Sequence, residues 1–209
     1  MSQKLVIFHE IEQHLLNDKR PSEYFNRIPD GSWLQEYPFS MLGRLKTTEQ
    51  NPKYHPEGSV WNHTMLVVDA AAAEKEKSSN PRVFLWAALL HDIGKPDTTR
   101  VRKGKITSYD HDRLGAKLAA DFLREFDCEE EFIRDVSALV RWHMQLLFVT
   151  KSLAFANVDK MLSQVSVEDV GLLGLCDRMG RLGADRAEEE KNVALFLEKC
   201  RTYQANRQA

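Results

Sequence analysis

Apolar positions recur at helical spacing through most of the chain, and this pattern predicts an all-α fold. In residues 3–17, Leu5, Phe8, Ile11 and Leu15 fall on one face, and Asn17, Asp18 and Pro21 close the segment. From Arg20 to Gly58 the chain is cut by Pro21, Pro29, Gly31, Pro38, Gly43, Pro52 and Pro56. That punctuation predicts short helices joined by turns over the core surface. After Gly58, WNHTMLVVDAAAAEKEK is one run of helix formers, closed by Ser78, Ser79, Asn80 and Pro81. The next segment, PRVFLWAALLHD, opens on proline, is apolar on nearly every face and stops at Gly94 and Pro96. Such a helix belongs at the centre of a domain.

Thr98 to Tyr109 carries the β-branched pieces TTRV and KITSY around Lys103 and Gly104, which suits a small hairpin or an extended loop rather than a sheet. Helical patterns follow at 112–126, 129–149 and 166–184, with Val158 to Leu162 a short helix between the last two, and a final helix near 186–203. No internal repeat, low-complexity tract or interdomain linker is visible. The expectation is a single helical domain over 1–209, with a core at about 43–185 and packing helices in 1–42 and 186–209.

Composition narrows the function classes. Lys and Arg total 29 against 31 Asp and Glu, a formal net charge of −2, so no global field draws the chain to nucleic acid or an anionic membrane. A small or locally contacted substrate fits better, and oligomeric state is left open. Cys128, Cys176 and Cys200 are odd in number and lack CxxC spacing, which argues against a disulfide framework or a cysteine-built zinc site. A reducing cytoplasm is the expected location. The apolar stretch near the N-terminus is interrupted by His9, Glu10 and Glu12 before it could serve as a secretory segment, and nothing later approaches a membrane span.

The chemistry-bearing residues are His63, the adjacent pair His91 and Asp92, then His111, His143 and Asp177, each on or beside a different predicted helix or loop. Imidazoles and carboxylates bind borderline and hard divalent ions, and helical bundles build such sites by aiming one ligand inward from each of several helices. A carboxylate can bridge two ions, whereas a neutral imidazole serves one. One metal would therefore take His63, His91, Asp92 and Asp177, and a second would take Asp92, His111 and His143. Two such ions about 3.5 to 4 Å apart activate a shared water, so a metal-bound hydroxide is the expected nucleophile and Asp92 the central catalytic residue. Lys95, in HDIGKP, is the expected electrostatic partner of a phosphate oxygen, and Arg178, beside Asp177, a bidentate phosphate contact. The mixed ligand set accepts Mn, Fe, Co, Ni or Zn.

These residues resemble the HD-domain superfamily, in which a lone His, an HD pair and a terminal Asp bind metal. HPEGSVWNHTMLVVDAAA (His55 to Ala72), ALLHDIGKP (Ala88 to Pro96), HDRLGAKLA (His111 to Ala119) and VRWH (Val140 to His143) are similar to the HD region of bacterial CCA-adding tRNA nucleotidyltransferases. The likeness covers about Gly43 to Asp177, and the nucleotidyltransferase head of those enzymes has no counterpart here. What the resemblance implies is an HD-type helical bundle that hydrolyses phosphomonoesters or 2′,3′-cyclic phosphodiesters of a nucleotide-like substrate. One departure is Asp110, which stands where related sequences often place glycine before His111. Two other readings stay open: a di-iron oxygenase of the same superfamily, and a non-catalytic nucleotide-binding module.

Taken singly, most of these side chains have plainer explanations. His9 and His14 belong on a solvated or packing face of the first helix. His55 is either a substrate contact or part of a turn in which Glu57 and Gly58 serve local geometry. Arg100, Arg102, Lys103 and Lys105 could attract an anionic substrate, although a charge run in a loop is more often only solvated. Trp61, Trp86 and Trp142 are expected in the core, and Cys176 is expected to be a small buried hydrophobe.

Overall fold

Ser2 caps the first helix by accepting a hydrogen bond from the Leu5 amide, and α1 (Gln3–Asn17) buries Ile7, Phe8, Ile11 and Leu15. The computed structural model describes residues 2–29 and 32–208; Gly31, one of the expected turn positions, lies outside them. The punctuated region that follows α1 folds as expected into short pieces: α2 (Ser22–Asn26), a 3₁₀ turn at Trp33–Gln35, α3 (Ser40–Gly43) and a 3₁₀ turn at Arg44–Thr47.

Two capped helices form the centre. Ser59 accepts from the Asn62 amide to start α4 (Val60–Glu74), and Asn80 accepts from the Val83 amide, with Pro81 in the first turn, to start α5 (Pro81–Leu90). Every residue of α5 from Val83 to Leu90 is buried, as its uniformly apolar sequence requires. It packs against α1 and α4, and against α8 (Glu130–Trp142) and α11 (Val167–Met179). One cluster of buried side chains runs from Ile7 to Cys200. The buried indoles find partners for their N–H groups: Trp61 donates to Asn26 Oδ1, Trp86 to Glu12 Oε1 and Trp142 to Gln164 Oε1. Cys176 is buried, as expected.

After α6 (Lys95–Thr98), the stretch read as a hairpin or an extended loop forms a two-stranded antiparallel ladder, β1 (Thr99–Arg102) with β2 (Lys105–Ser108). Lys103 at φ 50° and Gly104 at φ 71° supply the two positive-φ positions that a two-residue hairpin turn needs. Then come α7 (His111–Arg124), α8, α9 (Gln145–Thr150), α10 (Val158–Leu162), α11 and α12 (Arg186–Gln208). Three boundaries differ from expectation. The helix expected over 129–149 is divided at His143 and Met144, the one expected over 166–184 stops at Met179, and the last runs on to Gln208. No helix among the described residues is long and apolar enough to cross a membrane.

Gly94 lets the end of α5 meet the start of α7. A Cβ there would lie 2.3 Å from the His111 carbonyl oxygen and 2.7 Å from the Gly115 amide nitrogen, both backbone atoms with little room to yield. Gly94→Ala is expected to lower stability by about 2 kcal/mol or more, since overpacking a close backbone approach forces the elements apart. Urea unfolding measures this; an unchanged midpoint would show that the contact is softer than described.

Candidate metal centre

The six expected ligands arrive from different elements and converge on Asp92. His63 closes the first turn of α4, while His91 and Asp92 follow the last residue of α5. His111 opens α7, His143 follows α8, and Asp177 lies near the end of α11. All six are buried. Asp92 divides its two oxygens between two sets. Its Oδ2 lies 3.1 Å from His91 Nε2 and 3.9 Å from His63 Nε2, and its Oδ1 lies 3.5 Å from His111 Nε2 and 4.0 Å from His143 Nε2. Asp177 joins the first set through Oδ1, 3.0 Å from His63 Nε2.

The four imidazoles are oriented alike. His91 Nδ1 donates to the Ala88 carbonyl (2.8 Å), His111 Nδ1 to Ser108 (2.7 Å) and His143 Nδ1 to Val140 (2.7 Å). Each acceptor is the carbonyl three residues earlier. In α5 and α8 that carbonyl is the one the amide of the next residue, Asp92 or Met144, would take in a continuing α-helix. The imidazole competes for it at the point where the helix ends. His63 uses a side chain instead: its Nδ1 is 2.9 Å from Glu57 Oε1 and 3.2 Å from the Gly180 carbonyl.

At His91, His111 and His143, where Nδ1 donates to a carbonyl, the neutral form of the ring presents an unprotonated Nε2 to the centre, whereas His63 Nε2 is engaged by Asp177 Oδ1. His111 Nε2 and His143 Nε2 then face each other at 3.2 Å, and His91 Nε2 is buried with no hydrogen-bond partner among the described residues. Lone pairs gathered on a buried carboxylate in this way call for a cation. The 3.2 Å separation matches two nitrogens each about 2.1 Å from one ion, which stand roughly 3.0 to 3.4 Å apart in octahedral or tetrahedral coordination. The donor set therefore fits divalent metal, in two groups that share Asp92: His63, His91 and Asp92, and Asp92, His111 and His143.

Burial opposes the ionisation of Asp92, yet the charges of His91 and Lys95 hold it well below the usual carboxylate range. Asp177 is likewise kept ionised against burial, chiefly by Arg181. Burial also opposes protonation of His63, but its hydrogen bonds to Asp177 and Glu57 prevail and raise its pKa. His143 is pushed down to about 4 by burial and by His111 and His91.

A cavity of about 380 Å³ opens over the centre, and Asp92, His111, His143 and Asp177 line it with Lys95 and His55. His63 and His91 are buried and do not reach its wall. Lys95 sits 2.7 Å from Asp92 Oδ2 and donates to Gln50 Oε1 at 2.7 Å. His55 lies with its Nδ1 2.8 Å from Glu57 Oε1. Burial first, then the charges of Lys95, His63 and Arg181, push His55 down to about 4.

Arg178 is not on the cavity wall; Arg181 is, and it pairs with Asp177 Oδ1 at 3.7 Å. Along α11 the neighbour of Asp177 is turned about 100° away, and Arg181 follows the helix end, where the turn at Gly180 brings it back beside Asp177. Arg181 Nε is buried without a hydrogen-bond partner among the described residues. Arg141, which pairs with Asp112 and stacks on Trp142, also lines the cavity. Sequence reading missed Arg181, Arg141, Gln50 and the part Glu57 plays. His14 packs on Tyr24 and pairs with Asp18, and His9 is exposed, both away from the centre.

Asp110, the departure before His111, adopts φ 58° and ψ 17°. That left-handed conformation explains why glycine suits the position, and aspartate is among the few other residues that tolerate it.

Comparison with known proteins agrees with this geometry. The family model described as HD domain matches residues 60–192. The Multifunctional CCA protein of Aromatoleum aromaticum is 30% identical over 185 residues, covering 85% of this chain and 43% of that protein. Its namesake in Alkalilimnicola ehrlichii is 28% identical over 187 residues, covering 86% of this chain and 43% of its own length. The Ralstonia nicotianae protein of that name is 39% identical over a shorter stretch of 93 residues, 44% of this chain and 20% of that protein. The chain thus spans less than half the length of these relatives. The family match covers most of the chain and contains all six converging residues, and the chain belongs to the HD-domain family.

Proposed function

We propose that the chain is a metal-dependent phosphohydrolase that cleaves a phosphomonoester or a 2′,3′-cyclic phosphodiester of a nucleotide-like substrate. The observation that carries this reading is the meeting, on one cavity, of an acceptor-rich ligand cluster with the cations Lys95, Arg141 and Arg181. His63, His91, Asp92 and Asp177 would hold one divalent ion, and Asp92, His111 and His143 a second. When bound, such ions polarise phosphoryl oxygens and lower the pKa of water toward neutrality.

The chain's own residues position and neutralise the ester. Lys95 is held by Gln50 and Asp92, so its ammonium is fixed at the cavity wall without rotamer search and meets a phosphate oxygen there. Arg181 offers a guanidinium whose Nε has no competing acceptor, and the planar fork suits two phosphate oxygens. His55 is uncharged at neutral pH, which makes it a hydrogen-bonding wall residue rather than a further cation.

The direct test is elemental analysis of the purified protein with a phosphomonoester and cyclic phosphodiester panel. Chelation is expected to abolish turnover and Mn, Fe, Co, Ni or Zn to restore it; hydrolysis that survives chelation at full rate would sink the reading. Within the site, Arg181→Ala is expected to raise KM about tenfold or more, in keeping with loss of one charge-assisted contact, while Arg178→Ala changes it little. Equal effects would remove Arg181 from the phosphate site.

A further inference from the structure

Ten large hydrophobic side chains are strongly exposed among the described residues, and four of them, Tyr54, Tyr109, Leu153 and Phe155, line this one cavity. They come from three separate loops. Exposed aromatic faces gathered at the mouth of a phosphate-sized, cation-lined cavity suit the stacking of a nucleobase.

A row of cations leads away from the same mouth. In the hairpin, Arg100 pairs across the ladder with Thr107, and Arg102 with Lys105. Directly opposed residues share a face and faces alternate along a strand, so Arg100, Arg102, Lys105 and Thr107 stand on one side. Thr107 lines the cavity together with Ile106 and Ser108 of the same strand, so β2 runs along the wall and the row of cations stands on the hairpin beside it. All three cations are exposed, and none has a carboxylate within ion-pair distance among the described residues. Arg44, Arg113 and Arg181, which flank this region, are each paired. A chain with a net charge of −2 thus concentrates unneutralised positive charge on a strip continuous with an aromatic-lined cavity.

We propose that the cavity takes the terminal nucleotide of a single-stranded oligonucleotide, with its base against the aromatic rim and the preceding backbone phosphates along Arg100, Arg102 and Lys105. Placing the terminal phosphate at the metal centre rests on the phosphohydrolase reading; the binding surface does not.

The test is fluorescence anisotropy of the full chain with a six-nucleotide RNA carrying a 3′-phosphate and a 5′ dye, which reports binding whether or not the phosphate is cleaved. Three phosphate contacts to a single strand predict a slope of log affinity on log salt of about −2. The triple variant Arg100→Glu, Arg102→Glu, Lys105→Glu is expected to flatten that slope and weaken binding at least tenfold. Turnover of p-nitrophenyl phosphate, which fits within a cavity that Arg100, Arg102 and Lys105 do not line, stays unchanged. Phe155→Ala is expected to weaken the oligonucleotide and a mononucleotide alike. The proposal is overturned if the RNA binds no tighter than a mononucleotide, if the triple variant keeps its affinity, or if that variant loses p-nitrophenyl phosphate turnover as well. Absence of turnover on every ester with salt-dependent RNA binding intact would instead reject the hydrolase reading and leave the binding surface standing.

Discussion

Asp92→Asn is expected to lower bound metal to well under half of the wild-type content and hydrolysis on the order of 10³-fold, the largest effect of any single change in this chain. Asp92 is the one residue common to both ligand groups, and it serves them with different oxygens. Asparagine keeps the shape but replaces one oxygen with an amide nitrogen, which donates where a metal needs an acceptor. The charge matters as well. Lys95 is buried with its Nζ 2.7 Å from Asp92 Oδ2, and a buried cation that loses its carboxylate is costly, about 3 kcal/mol or more where one member of such a pair is removed. The metal-free variant should therefore also unfold at lower urea than the metal-free wild type. Asp177→Asn touches only the first group and should retain metal at the second, so metal stoichiometry by mass spectrometry separates the two variants. A full complement of metal in Asp92→Asn would show that Asp92 is not the shared ligand.

The central helices were legible because their pattern is unambiguous: α5 is apolar on every side and is capped by Asn80 and Pro81. The division between α8 and α9 was not. EEFIRDVSALVRWHMQLLFVT reads as continuous helix, and the break falls where the His143 ring takes the Val140 carbonyl. Side-chain competition for a backbone acceptor leaves no trace in hydrophobic periodicity. The same device sits at His91, where Gly94 and Pro96 already announced an end. Of the converging residues, His63, His111 and Asp177 lie on helices and His91, Asp92 and His143 directly follow helix ends, elements that the apolar pattern marks. Arg178 adjoins Asp177 in sequence, whereas Arg181, on the cavity wall, lies beyond the end of α11, where helical periodicity no longer tells which side chains turn inward. Gln50 and Glu57 lie in the segment 48–59, where no period tells which side chains turn inward.

Glu57 carries the second large expectation. Its side chain is 2% exposed, and one oxygen lies 2.8 Å from His55 Nδ1 and 2.9 Å from His63 Nδ1. Burial works against its charge, but the hydrogen bonds from His63 and His55 keep it ionised, with its pKa lowered to about 2. An ionised acceptor on Nδ1 fixes the ring and makes the opposite nitrogen a stronger donor to metal, and removal of such partners typically costs 10- to 100-fold in metal affinity. Glu57→Ala is therefore expected to weaken metal binding by roughly that factor, with activity recovering at saturating metal because the ligands remain. Glu57→Gln should fall between, since its carbonyl oxygen still accepts one hydrogen bond while the charge is gone. Metal titration followed by activity at each metal level checks this, and it distinguishes Glu57 from Asp92, whose loss no excess of metal should repair. If Glu57→Ala binds metal as tightly as the wild type, the Gly180 carbonyl, 3.2 Å from the same ring nitrogen, is sufficient to orient His63 and the carboxylate serves only the turn that leads into α4.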